Sequence, residues 1–522
     1  MTGQMGHCTN FGNCSLADSR KLLARQPGQD FVCPECGKGL LVAQARSGTS
    51  GKGVLAAIAG LVVVAIVGGG VLLWGKGWSN NASPTAQQPA AALAAAAKRD
   101  PQPAPPAATV ILRLAGSNTV GAGLAPALAE AYLSGQGYQN IRRVPGSTPT
   151  DMTVVGERAG QTDAISIVAR GTKTGFSGLL SNDADIAMAS RRVTAEEASG
   201  LASQGDMMGP ANEHVLALDG VAVVVNRSNP VSTLSKDKVA AIFNGLIKDW
   251  SQVGGTPGPI HVHARDDNSG TFDTFQSLVL GKSQLVAGAK RFEDSGELAG
   301  AVATDPAAIG FVGLAYVGPT KAVAIAEPDA TPLVPNRFTV GTEDYPLARR
   351  LYLYTAAAPA NPNVFKYVEF ALSAAGQSVV EKSGFVPLTI RSEAVAASSA
   401  SRQFADLTKG AQRLSTNFRF VTGSSALDNR AMRDLARVVD FVSIAGVRPD
   451  KLLLIGFADS RGRPEMNDTL SKQRARAVAD ALGQQGVRVG LTTWLGADMP
   501  VADNSTEEGR EKNRRVEIYV RP

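Results

Sequence analysis

The chain has 522 residues, of which 44% are hydrophobic and 19% charged, a composition typical of folded protein and a length sufficient for three or four domains. Its net charge of +6 is small for this length, and no basic stripe with interleaved aromatic residues runs through it, which argues against nucleic-acid binding. All 4 cysteines precede residue 37, an asymmetry that predicts a compartment boundary soon after them.

The amino-terminal segment, residues 1–50, carries a cysteine pattern typical of a zinc site. The pattern is Cys8-x5-Cys14 followed by Cys33-x2-Cys36 within FVCPECGKGLL. The C-P-x-C-G turn points two thiolates at one centre, and four thiolates form a closed tetrahedral zinc site of the structural kind. Disulfides are the alternative, but they fit poorly with a cytoplasmic location. The segment resembles the small zinc ribbons at the N-termini of bacterial membrane proteins, which implies a structural zinc ion and an unidentified cytoplasmic partner.

Residues 53–74, GVLAAIAGLVVVAIVGGGVLLW, form an uncharged apolar run. At about 1.5 Å per residue, a helix of this length spans about 33 Å, enough to cross the core of a bilayer. A secretory signal peptide is disfavoured because 52 residues precede the run, and a buried soluble helix is disfavoured because no face is polar. Lys38, Arg46 and Lys52 precede it closely, so the positive-inside rule places the N-terminus in the cytoplasm and everything from residue 79 across the membrane.

The rest of the chain is predicted to form a linker and two α/β regions. Residues 79–108 are rich in Ala and Pro and lack the residues needed for a core, which predicts an extended linker. From 109 to about 391, strand-like runs such as GVAVVVNRS alternate with helical ones such as KDKVAAIFNGL, so we expect an α/β fold with at least one largely parallel sheet. Residues 392–412 are polar and mark a boundary, and a further α/β unit is predicted over 413–522.

Four turns of the first α/β region place hydroxyl side chains before predicted helices or after strand-like runs. They lie in GSNTVGAG, RGTKTGFSGLL, MASRRV and HARDDNSGTFDTF. Such turns present hydroxyls and backbone N–H groups at helix N-termini, where the helix dipole favours negative charge. Together they predict a cradle for a dehydrated oxyanion. Its candidate residues are Ser117, Asn118, Thr119, Thr172, Lys173, Thr174, Ser190, Arg191, Arg265, Asp267, Ser269, Gly270 and Thr271.

The run LALDGVAVVVNRSNPVSTLSKDKVAAIFNGLIKDWSQVGG, followed by HARDDNSGTFDTF, closely resembles the periplasmic phosphate-binding proteins of ABC transporters, and DADIAMASRRV and AAIGFVGLAYV fit the same family. The resemblance covers roughly 110–390 and implies a two-lobed clamshell that closes on phosphate, with Asp267 orienting Arg265. Some family members carry an Asp directly after the serine of the third turn, where it accepts the phosphate proton. Arg191 stands there in this chain, which favours a fully charged anion and leaves selectivity for phosphate over sulfate open.

In the C-terminal unit, Asp459 follows a strand-like run and Arg474 lies on a predicted helix. An acid for an ammonium and an arginine for a carboxylate would together hold a zwitterionic amino acid, and a plain salt bridge is the alternative. TNFRF, GFADSRG, LSKQRARAV and GADMPVADNSTEEGREKNRRVEIYV resemble the OmpA-like peptidoglycan-binding domain over about 413–522. The resemblance implies binding of the diaminopimelate of the cell-wall peptide by Asp459, Asn467, Leu470, Arg474, Asn513, Arg514 and Arg515.

These observations predict a multidomain α/β protein of the bacterial inner membrane. Its zinc ribbon would be cytoplasmic, one helix would span the membrane, and the clamshell and OmpA-like domains would be periplasmic. The expected function is non-catalytic binding of phosphate or a similar oxyanion by a receptor attached to peptidoglycan. A structural envelope tether with a degenerate ligand site is the alternative. A phosphatase-like activity is disfavoured because no metal-ligand cluster is seen in 109–391.

Overall fold

The computed structural model of the chain describes residues 5–7, 23–24, 32–34, 41–42, 108–148, 150–267, 269–395, 401–420 and 426–522. The chain divides into two compact units, Met1–Arg99 and Asp100–Pro522. The predicted membrane helix, the predicted linker apart from its last residue, and Cys8, Cys14 and Cys36 lie outside the described residues.

The first unit contains three short strands, β1 (Met5–His7), β2 (Leu23–Ala24) and β3 (Leu41–Val42). They pair antiparallel in the order β2-β1-β3. Cys33 is buried. In the part of the chain that the structure describes, no helix combines the length and the apolar character needed to span a membrane.

The second unit holds the remaining strands, which belong to three sheets. They are β4 (Thr109–Gly116), β5 (Gln139–Pro145), β6 (Asp151–Arg158), β7 (Gln161–Ala169), β8 (Ile186–Ala189), β9 (Glu213–Val225), β10 (Thr233–Ser235), β11 (His261–Arg265), β12 (Lys290–Phe292), β13 (Ala308–Gly313), β14 (Lys321–Ala322), β15 (Ala324–Ala326), β16 (Ala348–Tyr354), β17 (Ser392–Ala394), β18 (Gln412–Arg419), β19 (Leu452–Gly456), β20 (Leu491–Trp494) and β21 (Arg515–Val520).

The helices of the second unit pack against these sheets. They are α1 (Asn118–Gly121), α2 (Leu124–Gly135), α3 (Thr172–Ser181), α4 (Ala195–Gly200), α5 (Lys236–Phe243), α6 (Gly270–Phe275), α7 (Ser295–Thr304), α8 (Arg337–Gly341), α9 (Pro362–Leu372), α10 (Ala374–Lys382), α11 (Arg402–Thr408), α12 (Asn429–Ile444), α13 (Pro464–Gln484) and α14 (Glu507–Asn513).

The largest sheet has 11 strands and joins two lobes. Its order is β12-β11-β13-β9-β16-β8-β4-β7-β6-β5, with β14 paired to β9. Lobe 1 is built on strands β4–β8 and lobe 2 on strands β10–β15, while the connecting strands β9 and β16 pair antiparallel between them. Strand β9 is 13 residues long and buried throughout, so it belongs to the core of both lobes.

The sheet is mixed, and the expectation of a largely parallel sheet was wrong. Strand β4 pairs parallel with β7 and β8, and β11 pairs parallel with β12 and β13. However, β5, β6 and β7 form an antiparallel meander. Strands β13, β14 and β16 each pair antiparallel with β9. The connections within the β5-β6-β7 meander are short and need no crossover helix, so the alternation of strands and helices in the sequence did not reveal that meander.

The C-terminal domain contains a five-stranded sheet in the order β17-β18-β21-β19-β20. Helices α12 and α13 bury Leu435, Val438 and Val478 against one face. Phe404 and Tyr519 pack together on the other face. Strand β17 and helix α11 lie in the segment 392–412 that the sequence assigned to a boundary. Their three and seven residues are too short to show a clear hydrophobic period.

The C-terminal domain packs against the residues that precede β16. Glu343 is buried and forms ion pairs with Arg350 on β16, with Arg419 on β18 and with Arg430 on α12. The amide of Asn417 donates to the Thr342 carbonyl oxygen at 2.9 Å. Burial alone would raise the pKa of Glu343, but the surrounding arginine charges hold it well below its usual range. The clamshell and the C-terminal domain therefore share a buried, charge-paired contact.

Candidate functional site

Three turns of lobe 1 lie together at the ends of β4, β7 and β8. We call residues 116–119 turn A, 170–174 turn B and 188–191 turn C. The Ser117 amide donates to the Met188 carbonyl oxygen, and the Gly171 amide donates to the Gly116 carbonyl oxygen, each at 2.8 Å. Gly116 has a φ of +135°, and a Cβ there would lie 2.1 Å from the Met188 oxygen, so only glycine fits. The strand ends and this glycine fix the three turns as one cradle.

The cradle gathers hydroxyl groups, as the sequence predicts. The Thr172 and Ser190 hydroxyl oxygens lie 3.2 Å apart, and the Ser190 amide donates to Thr172 Oγ1 at 3.1 Å. Ser117 is 1% exposed. Its Oγ and the Oδ1 of Asn118 have no hydrogen-bond partner among the described residues. A buried polar group without a partner costs about 1–3 kcal/mol, so these atoms are arranged for a ligand more than for the fold.

Turn B ends at the start of α3, whose N-terminus is open. Its N-cap, Gly171, has a φ of +101° and no side chain with which to cap the helix. The first N–H groups of α3 can therefore face an anion, which the helix dipole favours. The other two predicted residues of turn B contribute less, because Thr174 Oγ1 donates to the Gly171 carbonyl oxygen at 2.8 Å and Lys173 is exposed.

Lobe 2 contributes residues 265–271, which we call turn D, and it touches turn A directly. Thr119 Oγ1 donates to the Gly270 carbonyl oxygen at 3.2 Å. A Cβ on Gly270 would lie 2.4 Å from the Thr119 Cα, so glycine is required for this approach. Ser269 is the N-cap of α6 and accepts from the Phe272 amide at 3.4 Å. The half-buried Thr271 follows Ser269. The hydrogen bond between Thr119 and Gly270 brings turns A and D, from the two lobes, into contact.

Arg265 is held firmly behind turn D. Its Nε donates to the Phe292 carbonyl oxygen at 3.3 Å, its Nη2 to the Glu293 carbonyl oxygen at 2.6 Å, and its Nη1 to Ser295 Oγ. Burial lowers the pKa of this guanidinium, and the charge of Asp266 opposes that effect. Three of its five N–H donors are used in this way.

Asp267 does not orient Arg265 as the resemblance implied. Its carboxylate is 83% exposed and forms an ion pair with Arg291 at 2.5 Å. The carboxylate beside Arg265 belongs to Asp266, whose Oδ2 lies 3.9 Å from Arg265 Nη2. The physical reason is position, because Asp267 lies at the exposed tip of turn D, within reach of Arg291 on the neighbouring strand β12.

Arg191 is turned away from the cradle. Both terminal nitrogens of its guanidinium lie 2.8 Å from the carboxylate of Glu197 on α4. The hydrogen bond from Arg191 is the largest influence on Glu197 and lowers the pKa of that carboxyl. The extra cation that the sequence placed beside Ser190 is thus already paired, and its expected attraction for a fully charged anion is weakened.

Arg349 on strand β16 is a site residue that sequence analysis missed. Its Nη2 donates to Thr119 Oγ1 at 2.7 Å and to the Gly270 carbonyl oxygen at 3.0 Å. Its Nε donates to Asp219 on β9 at 3.3 Å. Burial lowers the pKa of Arg349, and the Asp219 charge opposes that effect. The signal in the sequence is a pair of arginines at the start of the otherwise apolar strand LARRLYLY.

In the C-terminal domain, three of the predicted residues come together. Arg514 forms ion pairs with Asp459 at 3.1 Å and with Glu507 at 2.8 Å. Arg474 is 3% exposed, and its Nε and Nη1 have no hydrogen-bond partner among the described residues. Its guanidinium lies 5.5 Å from the Phe420 ring centroid. Burial and the nearby Arg514 charge lower the pKa of Arg474, an arrangement that would accept a carboxylate.

The other predicted residues of this domain divide into two groups. Asn467 and Leu470 lie on α13, seven and four positions before Arg474 along one helix face, and Leu470 is 40% exposed. Asn513 accepts from the Ala502 amide at 3.1 Å, and Arg515 donates to the Met499 carbonyl oxygen at 2.8 Å. These last two side chains hold the loop 499–504 in place.

Both the clamshell and the C-terminal domain match known protein families. A family model described as the PBP superfamily domain matches residues 102–375. A second model, described as the OmpA family, matches residues 419–514.

The curated relatives match the clamshell region. The Phosphate-binding protein PstS of Borreliella burgdorferi is 26% identical over 265 residues, which is 48% of this chain and 91% of the relative. Protein SphX of Synechococcus elongatus is 33% identical over 237 residues, which is 43% of this chain and 69% of the relative. A solved structure, an ABC-type phosphate transport receptor from Vibrio cholerae, is 25% identical with a TM-score of 0.42, covering 53% of this chain and 99% of that one.

Proposed function

We propose, because this chain belongs to the PBP superfamily, that its clamshell is a non-catalytic receptor for inorganic phosphate or a similar oxyanion. The relative from Borreliella burgdorferi is named a phosphate-binding protein, and this supports phosphate as the first ligand to test. The proposal concerns the two-lobed region of residues 109–391, with turns A to D as the binding elements.

The observation that carries the proposal is the convergence of turns that are distant in sequence. Ser117 and Thr119 in turn A, Thr172 in turn B and Ser190 in turn C come from one lobe, and Gly270 in turn D comes from the other. Each hydrogen bond to an ionised group contributes about 1.5–3 kcal/mol, so several of them offset the desolvation of a small anion. The unpartnered Ser117 hydroxyl adds a donor aimed at no protein group among the described residues.

The cellular setting forms a second part of the proposal. We infer an inner-membrane protein whose residues 53–74 span the bilayer, with the N-terminus cytoplasmic and the clamshell and C-terminal domain periplasmic. Cys8, Cys14, Cys33 and Cys36 would hold one structural zinc ion in a ribbon that binds an unidentified cytoplasmic partner. The OmpA family match supports attachment to peptidoglycan through Asp459 and Arg474.

One observation favours the alternative, a structural tether with no small ligand. Thr119 and Gly270 already touch across the two lobes, and a cleft closed by protein contacts alone needs no anion to stabilise it. Under this alternative, the chain would connect the inner membrane to the cell wall, and its clamshell would serve as a rigid spacer.

Isothermal titration calorimetry of the full-length chain with phosphate, sulfate and arsenate separates the two functions. The receptor predicts a saturable phosphate signal that R265Q and T271V each weaken by at least about tenfold in Kd. The exposed control R142Q should titrate like the wild type, because Arg142 lies on the outer strand β5 of lobe 1. A flat phosphate titration of the wild type would favour the tether.

A further inference from the structure

The guanidinium of Arg349 lies where both lobes and both connecting strands meet. Arg349 on β16 stands directly opposite Asp219 on β9, and their ion pair is 10% exposed on each side. From there its Nη2 reaches Thr119 in turn A and Gly270 in turn D. One side chain of the connecting strands therefore contacts the anion-site turns of both lobes.

The Gly270 carbonyl oxygen is the centre of this contact. It accepts from Thr119 at 3.2 Å, from Arg349 at 3.0 Å and from Thr274 at 2.9 Å. Thr274 Oγ1 also lies 3.1 Å from Asp219, so it links the same ion pair to helix α6. Removal of Arg349 would leave Asp219 buried without its cation and would remove one of the links between turns A and D.

Arg349 contacts turns of both lobes, whereas the two arginines that sequence analysis predicted for the site each bond within one lobe. Arg265 donates to residues 292–295 within lobe 2, and Arg191 is paired with Glu197 within lobe 1. The Nη1 group of Arg349 has no hydrogen-bond partner among the described residues, whereas its other two nitrogens are used. A charged donor therefore remains at the contact of turns A and D.

We propose that Arg349 is a positioning residue of the anion site, which draws turns A and D together and directs its free Nη1 donors at the bound anion. The inference rests on the proposed receptor function and goes beyond it by assigning lobe closure to one side chain. A planar guanidinium can donate to Thr119, Gly270 and Asp219 at the same time, whereas an ammonium cannot reach all three in this geometry.

The test compares full-length variants by calorimetric phosphate titration and by melting temperature with and without phosphate. D219N/R349Q removes the ion pair without leaving a buried charge, R349K keeps the charge, and R142Q is the control. We expect D219N/R349Q to raise the phosphate Kd at least about thirtyfold, R349K to give an intermediate Kd, and R142Q to match the wild type. At the same phosphate concentration, phosphate should raise the melting temperature of D219N/R349Q by less than that of the wild type and R142Q.

Failure of the Arg349 inference and failure of the receptor proposal give different experimental results. Wild-type phosphate binding with a D219N/R349Q Kd within about twofold would overturn the role of Arg349 and leave the receptor intact. An R349K Kd no better than that of D219N/R349Q, together with equally lowered melting temperatures without phosphate, would show that Arg349 serves the fold alone. An absence of wild-type binding would overturn the receptor function, and the role of Arg349 with it.

Discussion

Arg349 and Arg350 are consecutive residues of strand β16, and their guanidinium groups lie in separate networks. Arg349 contacts Thr119 and Gly270 at the anion site, whereas Arg350 pairs with Glu343 and with Asp428 of the C-terminal domain. Successive side chains of a strand point to opposite faces, so one strand carries both contacts. The anion site and the docking of the C-terminal domain therefore depend on the same backbone segment.

The contact with the C-terminal domain is tested by D428N. Asp428 Oδ2 accepts from Arg350 at 2.8 Å, and its Oδ1 caps helix α12 at the Ala431 amide. Asparagine keeps the cap oxygen and removes the charge, so we expect a loss of about 1–3 kcal/mol in stability and a lower melting temperature in calorimetry. The control D440N changes an exposed acid of the same helix and should have the melting temperature of the wild type. Equal melting temperatures for all three proteins would contradict the energetic role of the contact.

His214 on β9 should make stability depend on pH. Burial and, after it, the charge of Arg433 lower the pKa of His214 from 6.5 to about 3. The unfolded chain takes up a proton below about pH 6.5 and the folded chain does not until about pH 3, so this residue removes stability as pH falls through that window. The limiting slope is about 1.4 kcal/mol per pH unit.

H214Q should flatten that dependence between about pH 7 and pH 5, measured as the melting temperature relative to the wild type. Glutamine can keep a hydrogen bond to Thr355, whose Oγ1 lies 3.2 Å from His214 Nε2. H261Q is the matched control, because His261 is half-exposed. The same pH dependence in the wild type and H214Q would show that His214 is protonated in the folded state.

Peptidoglycan binding should depend on the buried guanidinium of Arg474. Its Nε and Nη1 are unpartnered among the described residues, so R474Q loses a ligand contact and few protein contacts. We expect R474Q and D459N each to reduce the fraction of protein that sediments with purified sacculi by at least about tenfold. R476Q, on the exposed face of the same helix, should sediment like the wild type. Sedimentation of R474Q at the wild-type level would remove Arg474 from the site.

The proposal of a zinc ribbon is tested by the metal content of the purified chain. Elemental analysis of the full-length protein should find about one zinc ion per chain, and C33S/C36S should lower that value to background. The reason is that a closed site needs all four thiolates, and Cys33 and Cys36 supply two of them. Substitution of a nearby serine, S15A, should leave the zinc content unchanged. Wild-type protein without zinc, purified without chelators, would favour the disulfide alternative.

The turns of the anion site could be predicted because their signals are local. Glycine next to hydroxyl residues at a strand end is visible in a few letters, and the structure does bring Ser117, Thr172, Ser190 and Gly270 into one region. Arg349 could not be placed in this way. Its partner Asp219 lies 130 positions away, and only the register of β9 against β16 sets them opposite each other.

The same distinction explains the corrections to the fold and to Asp267. The buried strand β9 is mostly apolar, and such a run does not tell whether its neighbours are parallel or antiparallel. Asp267 is close to Arg265 in sequence, but Arg291 reaches it from the neighbouring strand β12. Local pattern therefore located the turns, whereas pairing between distant segments decided which charges meet.

The most direct measurement of the central claim uses S117A. The Ser117 hydroxyl is buried without a partner among the described residues, so its removal should leave the melting temperature of the phosphate-free protein unchanged or slightly higher. If turns A to D replace the water shell of an anion, the same variant should lose most of the stabilisation that phosphate gives the wild type, while the exposed control S177A retains it. S117A that is stabilised by phosphate as strongly as the wild type would contradict the account.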